Sequence, residues 1–162
     1  MAGAPAWVGV VGKDAKYPYM VLKDLVRVEA DKTMPTEAAI KAGEDVNRRD
    51  SYGRTALHIA TFARKPDAVT VLIKNGAKTE LLENDKYDAV TVAAVADDEA
   101  TLRALLANGA SAKLTTSRYD GTALIAAAHL GHDGVVKQLI AAGAPLDHVN
   151  NLHWTALIES IV

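Results

Sequence analysis

The chain of 162 residues has no cysteine and only one phenylalanine, and aromatic residues make up 5% of it. Without cysteine there can be neither a disulfide framework nor a thiolate metal site. That absence suits any redox compartment and so locates nothing. No run of like charges occurs, and the net charge is −2. Capture of DNA, RNA or an anionic membrane needs a concentrated basic surface, so nucleic acid is not the expected partner. Long apolar runs are missing too. The stretch from Ala4 to Val11 is about one third of a bilayer span, and no basic residues precede it as they would in a secretory leader. The expectation is a soluble protein of the cytoplasm or bacterial periplasm, without membrane insertion. Gly9 and Gly12 are too isolated for a phosphate loop, and no paired carboxylates or Ser-His-Asp order emerges. No catalytic residue, metal or cofactor is assigned.

What is present is repetition. Ala42-Gly43-Glu44-Asp45 returns as Asn75-Gly76-Ala77-Lys78, Asn108-Gly109-Ala110-Ser111 and Ala142-Gly143-Ala144-Pro145, so the glycines step by 33, 33 and 34. Thr55-Ala56-Leu57-His58 returns as Asp88-Ala89-Val90-Thr91, Thr122-Ala123-Leu124-Ile125 and Thr155-Ala156-Leu157-Ile158, with steps of 33, 34 and 33. A period of this length means stacked supersecondary units and a long grooved surface. The segment from Gly109 to Thr122 is one residue longer than its equivalents, at 13 against 12. That extra residue should enlarge or distort one connection.

Asp50-Ser51-Tyr52-Gly53-Arg54-Thr55-Ala56-Leu57-His58-Ile59-Ala60, followed by Val71-Leu72-Ile73 and Asn75-Gly76-Ala77, resembles an ankyrin repeat. Thr122-Ala123-Leu124 with Gly131-His132 and Val135-Val136, and Asp147 to Trp154, follow the same pattern. The last units are similar to those of bacterial ankyrin repeat proteins. The resemblance covers residues 37–162 and implies an all-α solenoid of helix pairs joined by β-hairpin-like fingers. The expected organisation is a loose arm over residues 1–16 and a divergent N-terminal capping unit over 17–49. Whole repeats follow over 50–82, 83–116 and 117–149, with an incomplete last repeat over 150–162.

First helices are expected near Thr55, Asp88 and Thr122, and second helices near Pro66, Asp98 and Asp133, where proline and carboxylates suit helix starts. Val69, Val71, Leu72 and Ile73 should face inward, as should Leu102, Leu105 and Leu106, and Val135, Val136, Leu139 and Ile140. Gly76, Gly109 and Gly143 should end the second helices in a left-handed conformation. The turn position held by Gly53 becomes Lys86, Asp120 and His153 in later units. Lysine is the least comfortable of these at positive φ, so those fingers should be altered.

The resemblance gives His58 and His132 structural hydrogen bonds. His129, His148 and His153 form an alternative metal-binding set. Asp97-Asp98-Glu99 reads as a helix start rather than a cation site. In ankyrin stacks recognition uses finger tips and the outer ends of first helices. Carried onto this chain, the finger residues are Ser51, Tyr52 and Arg54, then Asn84, Asp85 and Tyr87, then Arg118, Tyr119 and Gly121, then Asn151, Leu152 and Trp154. Phe62 and Ala63, Val95 and Ala96, and His129 and Leu130 join them from the ends of the first helices. Aromatic rings and arginine are the usual interface anchors. The implied function is non-catalytic binding of another protein. The rival readings are a spacer or assembly module in a longer polypeptide, and a metal-dependent protein using the three histidines. Leu157, Ile158, Ile161 and Val162 should lie uncovered, which makes a fragment of a longer repeat protein, a frayed end or self-association the expectation there.

Overall fold

The computed structural model describes residues 45–161, so the expected arm and nearly all of the capping unit lie outside the described residues. Seven helices follow. They are α1 (Ala56–Phe62), α2 (Pro66–Lys74), α3 (Ala89–Val95), α4 (Glu99–Ala107), α5 (Ala123–Leu130), α6 (Asp133–Ala141) and α7 (Ala156–Glu159). Two short strands, β1 (Thr115–Thr116) and β2 (Gly121–Thr122), sit between α4 and α5. The architecture is an all-α solenoid of helix pairs.

Helices of seven to nine residues are too short to persist alone in water, so capping and packing must hold them. Each first helix starts at the recurring Thr/Asp position. The Asp88, Thr122 and Thr155 side chains accept from the N–H three residues on, at 2.9, 3.3 and 3.4 Å. Thr55 is served differently, since its backbone N–H donates to His58 Nδ1 at 3.2 Å. Nδ1 is then an acceptor, so Nε2 carries the proton and donates to the Tyr87 carbonyl at 3.1 Å. One imidazole thereby closes the start of α1 and ties the first unit to the second. Burial holds His58 below its ordinary range.

Helix α1 packs on α2 within its unit and on α3 in the next, and the scheme repeats through α5 and α7, while α2, α4 and α6 form a second row. Alanines let the first helices approach closely. Ala60, Ala93 and Ala127 are completely buried, as are Val69, Leu102, Leu105, Val135 and Leu139. Val71 and Ile73 are only half-buried. Ile140 is a correction: it is 46% exposed. It lies one residue, about 100° of helix, beyond buried Leu139 and so turns outward.

The left-handed helix ends occur at Gly76, Gly109 and Gly143 as expected. Gly53, Lys86, Asp120 and His153 all share one positive φ range, from 52° to 73°. The lysine therefore does not alter its finger; it adopts the glycine conformation at a cost of about 1–2 kcal/mol. A Cβ on Gly53 would stand 2.5 Å from the Asn84 Oδ1 and 3.1 Å from its backbone nitrogen, so a substitute there would have to displace the Asn84 side chain. The extra residue in the third finger lengthens it. There Thr115 pairs with Thr122 and Thr116 with Gly121 as an antiparallel ladder, and Ser117 takes a second positive φ of 68°.

Candidate functional site

Aligning the units on Thr55, Asp88, Thr122 and Thr155 gives columns of equivalent positions on the finger side. The residue just before that position reads Arg54, Tyr87, Gly121 and Trp154. The third member has no side chain. A cavity of about 400 Å³ opens there, lined by Tyr87, Gly121 and Trp154 with Tyr119, Ile125, Leu130 and Leu152. A Cβ on Gly121 would meet only ordinary contacts, Ser117 Oγ at 3.5 Å and Ile125 Cγ2 at 3.8 Å. Its φ is not positive. Neither strain nor crowding calls for glycine at this place, and its effect is the open groove.

A second column, four residues into each unit from the capping position, reads Ile59, Val92, Ala126 and Glu159. The fourth unit puts a carboxylate where the others are apolar. Glu159 is buried, at 7% exposure, and lines the same cavity. Burying an ionised carboxylate is costly unless it is hydrogen-bonded. Two side chains meet that need. Asn150 Nδ2 donates to Oε1 at 3.2 Å, and His129 Nδ1 lies 2.9 Å from Oε2. Asn150 is in turn fixed by its finger, its Oδ1 accepting from the N–H groups of Leu152 and Trp154 at 3.0 Å each.

The sequence-predicted residues fall in different places. Asn84 and Asn151 stitch neighbouring fingers, donating to the Ser51 and Arg118 carbonyls at 3.1 and 3.2 Å. Arg118 and Asp85 form an exposed ion pair across fingers. Arg54 is held by Asp50 at 3.0 Å and lies over the Tyr52 ring, 4.5 Å from its centroid. Tyr87, Tyr119, Trp154 and His129 come together around the groove. Tyr52 and Phe62 are exposed, at 51% and 53%, outside it. Ser51 is exposed at the first tip.

The three histidines of the metal alternative do not form one cluster. Among the described residues no group of three His, Cys, Asp or Glu side chains could hold an ion. His129 is engaged by Glu159, and His148 Nε2 donates to the Asp120 carbonyl at 2.6 Å. His132 keeps its structural role, its Nδ1 donating to the Ala94 carbonyl of the preceding unit at 2.9 Å. Asp98 caps α4, accepting from the Thr101 N–H at 3.1 Å. Sequence reasoning missed Glu159 and Asn150. The signal was the glutamate standing in an apolar column.

Ankyrin repeats, in a family model of three copies, match residues 36–116 and 90–162. The chain is similar to Neurogenic locus notch homolog protein 1 of Xenopus laevis, 32% identical over 121 residues, which is 71% of this chain and 5% of that protein. The human protein of the same name is 31% identical over 121 residues, again 71% of this chain and 5% of its own length. The putative ankyrin repeat protein YahD of Escherichia coli (strain K12) is 28% identical over 127 residues, 78% of this chain and 63% of that protein. The chain thus spans a small fraction of the Notch proteins and under two thirds of YahD.

Proposed function

The chain belongs to the ankyrin repeat family, and from that premise we propose that its finger side is a non-catalytic binding surface for one other protein. Ankyrin repeats are in general protein-interaction modules without enzymatic activity. The observation that carries the reading is a set of exposed apolar side chains at finger tips and first-helix ends. Tyr52, Phe62, Val95, Tyr119, Leu130 and Leu152 are each between 44% and 56% exposed. Apolar residues scattered singly need no explanation, whereas a row of them rimmed by polar groups marks an interaction surface. Four of the six, Val95, Tyr119, Leu130 and Leu152, line the groove together, and the exposed rings supply the large anchors that interfaces favour. Net charge of −2 gives no reason to place nucleic acid there. Among the described residues no helix is long and apolar enough to cross a membrane.

The test is comparative capture of partners from the native host. The wild-type chain and a Lys74→Glu variant, changed at an exposed position on α2, should retain the same partner. Tyr52→Ala with Phe62→Ala should weaken it by about 1–4 kcal/mol without loss of folded structure by circular dichroism. Equal retention by the double variant overturns the reading for those two rings.

A further inference from the structure

We infer that the groove takes an apolar peptide segment carrying one basic side chain, whose cation sits between the aromatic rings and the Glu159 carboxylate. The inference rests on the protein-binding reading above and names the chemistry of the partner. Three observations lead to it. First, the lining of the groove includes three rings, Tyr87, Tyr119 and Trp154, yet no lysine or arginine. Aromatic faces attract organic cations, and tryptophan does so most strongly. Second, the one carboxylate in that lining is Glu159. It occupies a column that is apolar in the other three units. A buried carboxylate in an apolar column breaks the local rule, and such breaks concentrate at functional sites.

Third, the carboxylate is held ready rather than used up. Its observed partners are Asn150 and His129, one contact to each oxygen. A carboxylate offers about four acceptor positions, so further capacity remains for a charged donor. The donors already present are positioned by the scaffold: Asn150 by its own finger, and His129 by the last turn of α5. Desolvation inside the groove strengthens a cation–carboxylate contact, while a carboxylate on the partner would be repelled. The missing side chain of Gly121 leaves room in the lining that Tyr87 and Trp154 share with it.

The test uses capped peptides built of leucine, alanine and serine around one central lysine, with matched sets carrying norleucine or glutamate at the centre. Binding is followed by amide and indole chemical shifts of the whole chain in two-dimensional NMR. The expected result is that some lysine peptides bind about tenfold or more tighter than their norleucine counterparts, with shifts centred on Gly121, Ile125 and the Trp154 indole. Glu159→Gln should reduce that preference to about twofold or less and leave norleucine peptides unaffected. Gly121→Tyr should block all of them while its spectrum remains that of the folded chain. If norleucine and lysine peptides bind alike, or the preference survives Glu159→Gln, the cation site is overturned while groove binding stands. If no peptide binds, the inference is overturned, and partner capture still judges the broader reading on its own. Should Glu159→Gln lose its folded spectrum, Trp154→Leu is the second variant, with the same loss of lysine preference expected and its persistence contradicting the site.

Discussion

In the first finger Asp50 Oδ1 accepts from the N–H groups of Tyr52 and Arg54, at 2.9 and 2.8 Å, and its other oxygen pairs with the Arg54 side chain. In the last finger Asn150 makes the same two backbone contacts with Leu152 and Trp154. Where Arg54 stood there is now Trp154, and the carboxylate has moved onto α7 as Glu159, reached by the Asn150 amide. The backbone plan is one; the side-chain chemistry is exchanged. At the first finger a carboxylate and a guanidinium neutralise each other beside an exposed ring. At the last, a carboxylate is kept in an aromatic groove with an amide and an imidazole. Repeats conserve what the backbone needs, which is an acceptor at Asp50 and Asn150, and leave the other atom of that side chain to serve the surface.

The comparison assumes that both ends stand on one scaffold, and the largest effects test this. Leu72, Leu105 and Leu139 are buried at corresponding places in α2, α4 and α6. Truncating Leu72 or Leu105 to alanine should each cost about 2–5 kcal/mol in urea unfolding, and Leu139→Ala a similar amount. One cooperative transition in all three variants is expected. Separate transitions for the two ends would break the comparison at its base.

A smaller effect sharpens it. Asn150→Asp keeps the backbone acceptor and sets a carboxylate against Glu159. It should cost about 1–3 kcal/mol at neutral pH, because a buried donor is lost and two like charges meet. Adding Trp154→Arg would rebuild the pair of the first finger in the last and recover part of that loss. If Asn150→Asp is neutral alone, the amide is not what holds Glu159.

The least effect concerns pH and belongs to the first unit alone, since the His58 position is filled by Thr91, Ile125 and Ile158 elsewhere. Burial lowers the His58 pKa from its ordinary 6.5. The unfolded imidazole therefore takes a proton before the folded one does, and stability falls as pH drops below that value. The Asp88 carboxyl runs the other way. Burial raises it above 3.8, so the folded state takes that proton first and gains stability as pH falls through the raised value. His58→Asn separates the two. Its unfolding free energy should decline less than the wild type's between neutral pH and about pH 5. Parallel curves would show that the imidazole does not carry the acid sensitivity.

Much of the scaffold could be read from the sequence, because periodic demands leave periodic residues. The capping positions, the left-handed glycines and the buried leucines recur at a fixed step. Lys86 and Ile140 mark where such reading fails. Backbone contacts across fingers outweigh the preference of lysine against positive φ, and a single step around a helix turns an isoleucine outward. The groove was only half legible. Its rings were visible as finger residues, since aromatic side chains near turns draw notice. Glu159 was hidden because it belongs to the surface by chemistry and to the core by position. Gly121 was legible as a finger residue, but the space it leaves is apparent only when its position is compared with its counterparts, Tyr87 and Trp154.

If the finger side, groove included, holds the partner, a charge placed there must weaken the complex. This is tested most directly by measuring affinity for the captured partner with a charge placed on each side in turn. Leu130→Glu alters an exposed groove residue, and Arg103→Glu alters an exposed position on α4 that does not line the groove. A loss of about tenfold or more is expected for Leu130→Glu and little change for Arg103→Glu. Unchanged affinity for Leu130→Glu, with a loss for Arg103→Glu, would contradict binding at the finger side.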